Sequence, residues 1–123
     1  MGLLYGEMTV RHDPLQRLRE ICLALPEATE KETWGEATFR VRDKIFATCG
    51  GDGPPSLCCK APAGAQEVLV ASQPERFFRP AYVGHRGWVG VRLQTPVDWD
   101  QIADLVEESY RMTAPKRLLA GLS

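Results

Sequence analysis

No apolar run in this sequence is longer than five residues (Ile21 to Leu25), too short for a membrane-spanning helix. Residues 1–10 show no basic start followed by an apolar block, so the chain reads as lacking a secretory signal and the expected address is the cytoplasm. Charge of one sign is not in excess: fifteen basic and sixteen acidic side chains leave −1, which argues against a strongly polycationic nucleic-acid binder. Cysteine is sparse. Cys22, Cys49, Cys58 and Cys59 form no C-x-x-C pair, and His12 and His85 are the only histidines, so no zinc site is expected. Free thiols of this kind pack as small hydrophobes in a reducing compartment. Phosphate-loop, dinucleotide, nucleophile-elbow and paired-histidine motifs are all missing. No catalytic constellation and no cofactor site is therefore expected.

What is present fits one soluble domain. Hydrophobic residues make up 44% and charged residues 25% of 123 positions, enough to fold without disulfide or metal staples. Residues 1–12 show no period and are expected as a loosely ordered tail, with a single domain over 13–120. Asp13-Pro14 supplies an N-cap and a first-turn proline for a helix whose stripe is Leu15, Leu18, Cys22 and Leu25, ended by Pro26. From residue 37 the period shifts towards two, and Arg42-Asp43 joins two strands in a hairpin. Gly50 to Pro55 is a loop, Ser56 to Ala61 a short strand, and Gly64 to Ser72 a weak helix. Phe77 to Tyr82 reads as extended or turn structure, and Trp88 to Leu93 as a strand. Asp98 to Gln101 resembles a capping box for a last helix striped by Trp99, Ile102, Val106 and Tyr110. The expected fold class is α+β: a single two-layer domain of order α-β3-α-β2-α, its sheet mostly antiparallel with helices on one face.

Charge divided by region is more telling. Residues 1–36 carry four basic and seven acidic groups, residues 37–97 eight and four, residues 98–123 three and five. The basic middle coincides with the strands. Strand alternation turns Phe39, Val41, Ile45, Ala47, Leu57, Cys59, Val89 and Val91 towards the helices. The other face then collects Arg40, Lys44, Lys60 and Arg92 around Phe46 and Trp88, where arginine and lysine hold phosphates and aromatics stack bases; the alternative is that Phe46 and Trp88 are buried by the Phe77-Phe78 segment or by a second subunit. Arg42 in the hairpin and Arg86 in a glycine-framed turn extend the set. Glu27, Glu30, Glu32 and Glu36 read as a solvated acidic edge, since the calcium-loop alternation is missing. His85 beside Trp88 and Tyr82 outlines a possible small-ligand pocket, with the histidine able to exchange protons near neutrality.

A series of short segments resembles one known family. Leu25-Pro26-Glu27, Trp34-Gly35, Phe39-Arg40-Val41, Lys44 to Ala47, the Lys60 strand, Pro74 to Phe78, Tyr82-Val83-Gly84, Gly87-Trp88-Val89, Glu108-Ser109-Tyr110 and Ala114-Pro115-Lys116 resemble the MmcQ/YjbR family, in consistent order over about residues 14–119. Arg42-Asp43 replaces the glycine that members often carry, and the loop at 50–55 is lengthened. The resemblance implies a compact α+β domain of cytoplasmic bacterial proteins described as DNA-binding, with hairpin wings; it supplies no catalytic residues. The reading that follows is a nucleic-acid-binding module of weak sequence specificity, contacting DNA through Arg40, Arg42, Lys44, Lys60, Arg86, Trp88 and Arg92. Two alternatives stay open. One is a protein-interaction or chaperone-like domain using the same face; the other is a small-ligand domain around Tyr82, His85, Trp88 and Lys60. Monomer and homodimer are equally compatible with the sequence.

Overall fold

The computed structural model describes residues 13–50, 55–94 and 97–122. The expected tail at 1–12 lies outside the described residues, as do 51–54 of the glycine-rich loop, the 95–96 break and residue 123. Helix α1 (Pro14–Leu23) starts as its sequence dictates, with the Asp13 carboxylate accepting from the Leu15 amide at 3.1 Å and Pro14 in the first turn. It buries Leu18 and Cys22 and ends at Leu23, before Pro26 is reached. Strands β1 (Ala28–Thr33), β2 (Glu36–Val41), β3 (Lys44–Gly50) and β4 (Ser56–Cys59) follow, then α2 (Ala65–Ser72), β5 (Phe77–Phe78) and β6 (Val89–Arg92). Helices α3 (Trp99–Thr113) and α4 (Lys116–Leu119) and a 3-10 turn at Ala120–Leu122 complete the described chain. Four helices thus accompany one six-stranded antiparallel sheet of order β1-β2-β3-β4-β6-β5.

The first strand run is longer than the expected three, because β1 occupies the segment read as an acidic edge. Its carboxylates are partly paired. Arg19 of α1 grips Glu30 with two bonds of 2.6 and 2.9 Å, and Arg42 grips Glu27 at 2.6 and 3.3 Å. Both hairpins turn through left-handed residues, Trp34 and Gly35 (φ 54° and 82°) and Arg42 and Asp43 (φ 52° and 66°). Two-residue turns of this hand match the strand twist, and Arg42-Asp43 adopts one without glycine. Asp43 stabilises it further by accepting from Arg40 at 3.3 Å.

A β-bulge decides which side chains reach which face. Phe39 pairs with Ala47, but Arg40 pairs with Ile45, leaving Phe46 as the extra residue. Phe46 therefore points to the helix side, fully buried and edge-on to Tyr110 at 5.4 Å and 89°. Ile45 turns to the opposite face. The alternation expected from the sequence inverts at these two positions, and Phe46 leaves the set of exposed rings. Across the helix side run Phe39, Ala47, Cys59 and Val89, and beside them Cys49, Leu57, Val91 and Phe77. Leu18, Cys22, Ile102, Val106 and Tyr110 close over them.

Ser109 joins the last helix to this irregularity. Its hydroxyl donates to the Phe46 carbonyl at 2.6 Å and accepts from the Lys60 amide at 2.9 Å. The bulge and the end of β4 both need a partner outside the ladder, and one buried serine serves them both. Tyr110, next along the helix, donates to the Pro26 carbonyl at 2.6 Å. No helix among the described residues is long and apolar enough to cross a membrane.

Candidate functional site: a basic groove on the far face

The face turned away from α1 and α3 carries an open groove of about 780 Å³. Its floor is Arg40 of β2, Ile45 and Thr48 of β3, Cys58 of β4 and Lys60 just beyond. Phe78, the loop Pro80–Val83, Arg86 and Trp88 form one wall, and Glu36, Asp43 and Lys44 complete the lining.

The wall is built by small residues and one amide. Thr48, Cys58, Gly90 and Phe78 lie in one row across the sheet. Gly90 leaves that row open, and the Phe78 ring occupies the space: a Cβ at Gly90 would stand 2.3 Å from its Cζ. Gln66 of α2, 3% exposed, donates to the carbonyls of Gly84 (2.8 Å) and Trp88, while its oxygen accepts from Arg79 at 3.4 Å. These bonds hold the loop that carries Tyr82, Arg86 and Trp88 against α2. Gln66 sits on a helix with no clear stripe, so nothing in the sequence marks it; Ser109, polar beside Val106 and Tyr110 on a buried stripe, is the more readable of the two.

The seven predicted nucleic-acid contacts separate into distinct environments. Lys44, Lys60 and Arg86 line the groove and have no ion pair among the described residues. Burial pushes the Lys60 ammonium below its usual 10.5, and the like charges of Lys44 and Arg86 add to the shift. Arg40 is on the floor, but its guanidinium is already engaged by Thr38, Thr33 and Asp43 at 3.1, 3.1 and 3.3 Å. Arg42 pairs with Glu27 outside the groove lining. Arg92 is on the far face yet outside the lining; it donates to the Pro74 and Phe77 carbonyls and lies 5.0 Å from the Phe78 ring centre, fastening β5 to β6. Trp88 lines the wall but is only 8% exposed, so its ring is wall material rather than an open stacking platform.

Of the expected small-ligand pocket, Tyr82 and Trp88 reach the groove and His85 does not: it is exposed in the 3-10 turn Gly84–Arg86, outside the lining. Tyr82 is the exposed ring of the site, 92% accessible and held at φ 68°. Cys58 faces the groove, its thiol pushed up to about 11 by burial and by Glu36, so it is no ready nucleophile. Cys22, Cys49 and Cys59 are buried, and all four thiols are free. Among the described residues, no three His, Cys, Asp or Glu side chains are placed to hold a metal ion.

The same architecture occurs in solved structures. The Deinococcus radiodurans protein DR2400, whose domain is designated DUF419, superposes with a TM-score of 0.72 at 22% identity, over 80% of this chain and 76% of its own. A Pseudomonas syringae protein superposes at 0.54 with 21% identity, over 72% of this chain and 88% of its own. At such identities the likeness is one of fold. No curated protein matches the sequence. The YjbR family model, however, matches residues 23–112, from the end of α1 through nearly all of α3, including every strand of the sheet and the whole groove. The chain belongs to the YjbR family.

Proposed function

We propose that this protein binds nucleic acid through the groove, with Lys44, Lys60 and Arg86 as its phosphate contacts. One observation carries the reading: Lys44, Lys60 and Arg86 share one concave surface and none is ion-paired among the described residues, although Glu36 and Asp43 belong to the same lining. Like charges held together destabilise one another, and a bound polyanion relieves them. Arg40 supports the floor, whereas Arg42 and Arg92 act in the hairpin and the sheet edge. The contacts are to phosphate, so they position a strand without reading its bases, in keeping with weak sequence preference.

Fluorescence anisotropy with labelled DNA at two salt concentrations tests this. The variant Lys44→Ala/Lys60→Ala/Arg86→Ala, verified as folded, is expected to lose binding, and Arg42→Ala to retain it. Wild-type affinity should fall with added salt, with a slope of about −2 to −3 in log K against log salt for three phosphates. Absence of binding at low salt, or equal binding by the triple variant, overturns the proposal.

A further inference from the structure

The nucleic-acid reading leaves open what form of strand the groove accepts, and the shape of the site bears on it. The cations do not project from a convex ridge. They surround a cavity of about 780 Å³, the size of sites that take a small molecule. With them in the lining are Ile45, Phe78 and Trp88, whose surface is mainly apolar and of little use to a phosphate. Beside Arg86 stands Tyr82, an almost fully exposed ring kept in a backbone conformation that bulky residues seldom adopt. The wall is pre-set, because Gln66 fixes both ends of the Gly84–Trp88 segment. A duplex keeps its bases stacked inside and presents sugar and phosphate, so it meets the rim alone and leaves the apolar lining empty. An unpaired nucleotide fills both parts at once.

We infer that the groove takes one unstacked nucleotide, its phosphate among Lys44, Lys60 and Arg86 and its base against Tyr82 and the apolar wall, so that unpaired nucleic acid is the ligand. This deepens the proposed function and rests on it. It also assigns Tyr82 a role that the lysines cannot supply, since every base has a face to stack and the contact tolerates any sequence.

The test compares a labelled thymidine oligomer as a single strand, the same oligomer annealed to its complement, and two competitors, thymidine monophosphate and inorganic phosphate. The single strand is expected to bind about tenfold or more tighter than the duplex, the scale of one stacked base. Thymidine monophosphate should displace it at concentrations where inorganic phosphate does not. Tyr82→Asn removes the ring while keeping a residue that tolerates the left-handed backbone, and should weaken binding about tenfold with the salt slope unchanged. Tyr82→Phe should bind as wild type. Because Tyr82 is exposed, neither change threatens folding. Equal affinity for strand and duplex, an unaffected Tyr82→Asn variant, or equal displacement by inorganic phosphate each overturns the inference while nucleic-acid binding stands. Binding of the monophosphate without the oligomer overturns the strand as ligand. Failure of strand and duplex alike overturns the broader proposal, a result distinct from any ratio between them.

Discussion

Replacing Ser109 by alanine removes one hydroxyl and leaves two main-chain groups without their partner: the Phe46 carbonyl at 2.6 Å and the Lys60 amide at 2.9 Å. The site is fully buried, so water does not take over either bond. An abandoned buried polar group costs about 1–3 kcal/mol, and two of them about 2–6. Alanine's better helix propensity returns about 0.5 kcal/mol. With some local relaxation the expected loss is about 2–4 kcal/mol. For a domain of this length that corresponds to a fall in Tm of about 10 °C. Urea unfolding should show a lower midpoint with unchanged slope. Ser72→Ala is the control: that hydroxyl also bonds a helix carbonyl, Val68 at 2.7 Å, but is exposed, and its loss should stay within about 0.5 kcal/mol. A Ser109→Ala variant as stable as the control would refute the argument that the serine holds bulge and strand end together. The bulge is what turns Ile45 into the groove, so the same variant should also bind DNA more weakly.

Gly90→Ala places a methyl 2.3 Å from the Phe78 ring, forces that ring off the sheet and breaks its contact with Arg92; overpacking of this kind should destabilise by about 1–3 kcal/mol, read from thermal unfolding, and a variant with wild-type Tm would contradict the close approach. The Arg42 guanidinium holds the Glu27 carboxyl below its usual 4.5, chiefly by hydrogen bonding. A carboxyl lowered in the folded state contributes stability above that ordinary value and loses it as pH falls through the folded one. The stability gap between wild type and Arg42→Ala should therefore be present at neutral pH and close in acid, and the Glu27 carboxyl signal in NMR should titrate higher in the variant; a gap that persists at low pH would point to packing instead.

The helix starts were legible because their chemistry is local. Asp13-Pro14 and Asp98 act through bonds two and three residues away, and the Asp98 carboxylate does accept from the Gln101 amide at 3.1 Å. The Arg42-Asp43 turn and the strand over β6 were equally readable from alternation bounded by breaks. Strand β1 was not. Its sequence Ala-Thr-Glu-Lys-Glu-Thr occupies a sheet edge, where its helix-side positions are Ala28, Glu30 and Glu32, and Glu30 is accommodated only because Arg19 reaches it from α1. No periodicity within six residues reveals a partner on another element. The bulge left no clear trace, since Ile45-Phe46-Ala47 is apolar throughout and marks neither face. Reading it required knowing that Phe39 and Arg40 oppose positions two apart. The groove's cations were named from the sequence, but their sorting into free and engaged depends on Thr33, Asp43, Glu27, Pro74 and Phe77, each brought close by the sheet.

Strand order has a consequence for when the site comes into being. From β1 to β4 every neighbour in the sheet is also the neighbour in the chain, so this part closes by short loops. The next pairing joins Cys59 to Val89 across all of residues 60–88. Lys60 and Trp88 are the two ends of that closure, and Phe78, Tyr82 and Arg86 lie inside it. Contacts of long sequence separation are the slow ones in folding. A nascent chain that has emerged only as far as β4 has the hairpins and half of the floor, with Lys44 in place, but neither wall nor opposing cations. On the proposed reading, ligand binding is a property of the closed sheet, and a nucleotide held across the seam adds its binding energy to the strand pairing that joins the two parts of the sheet.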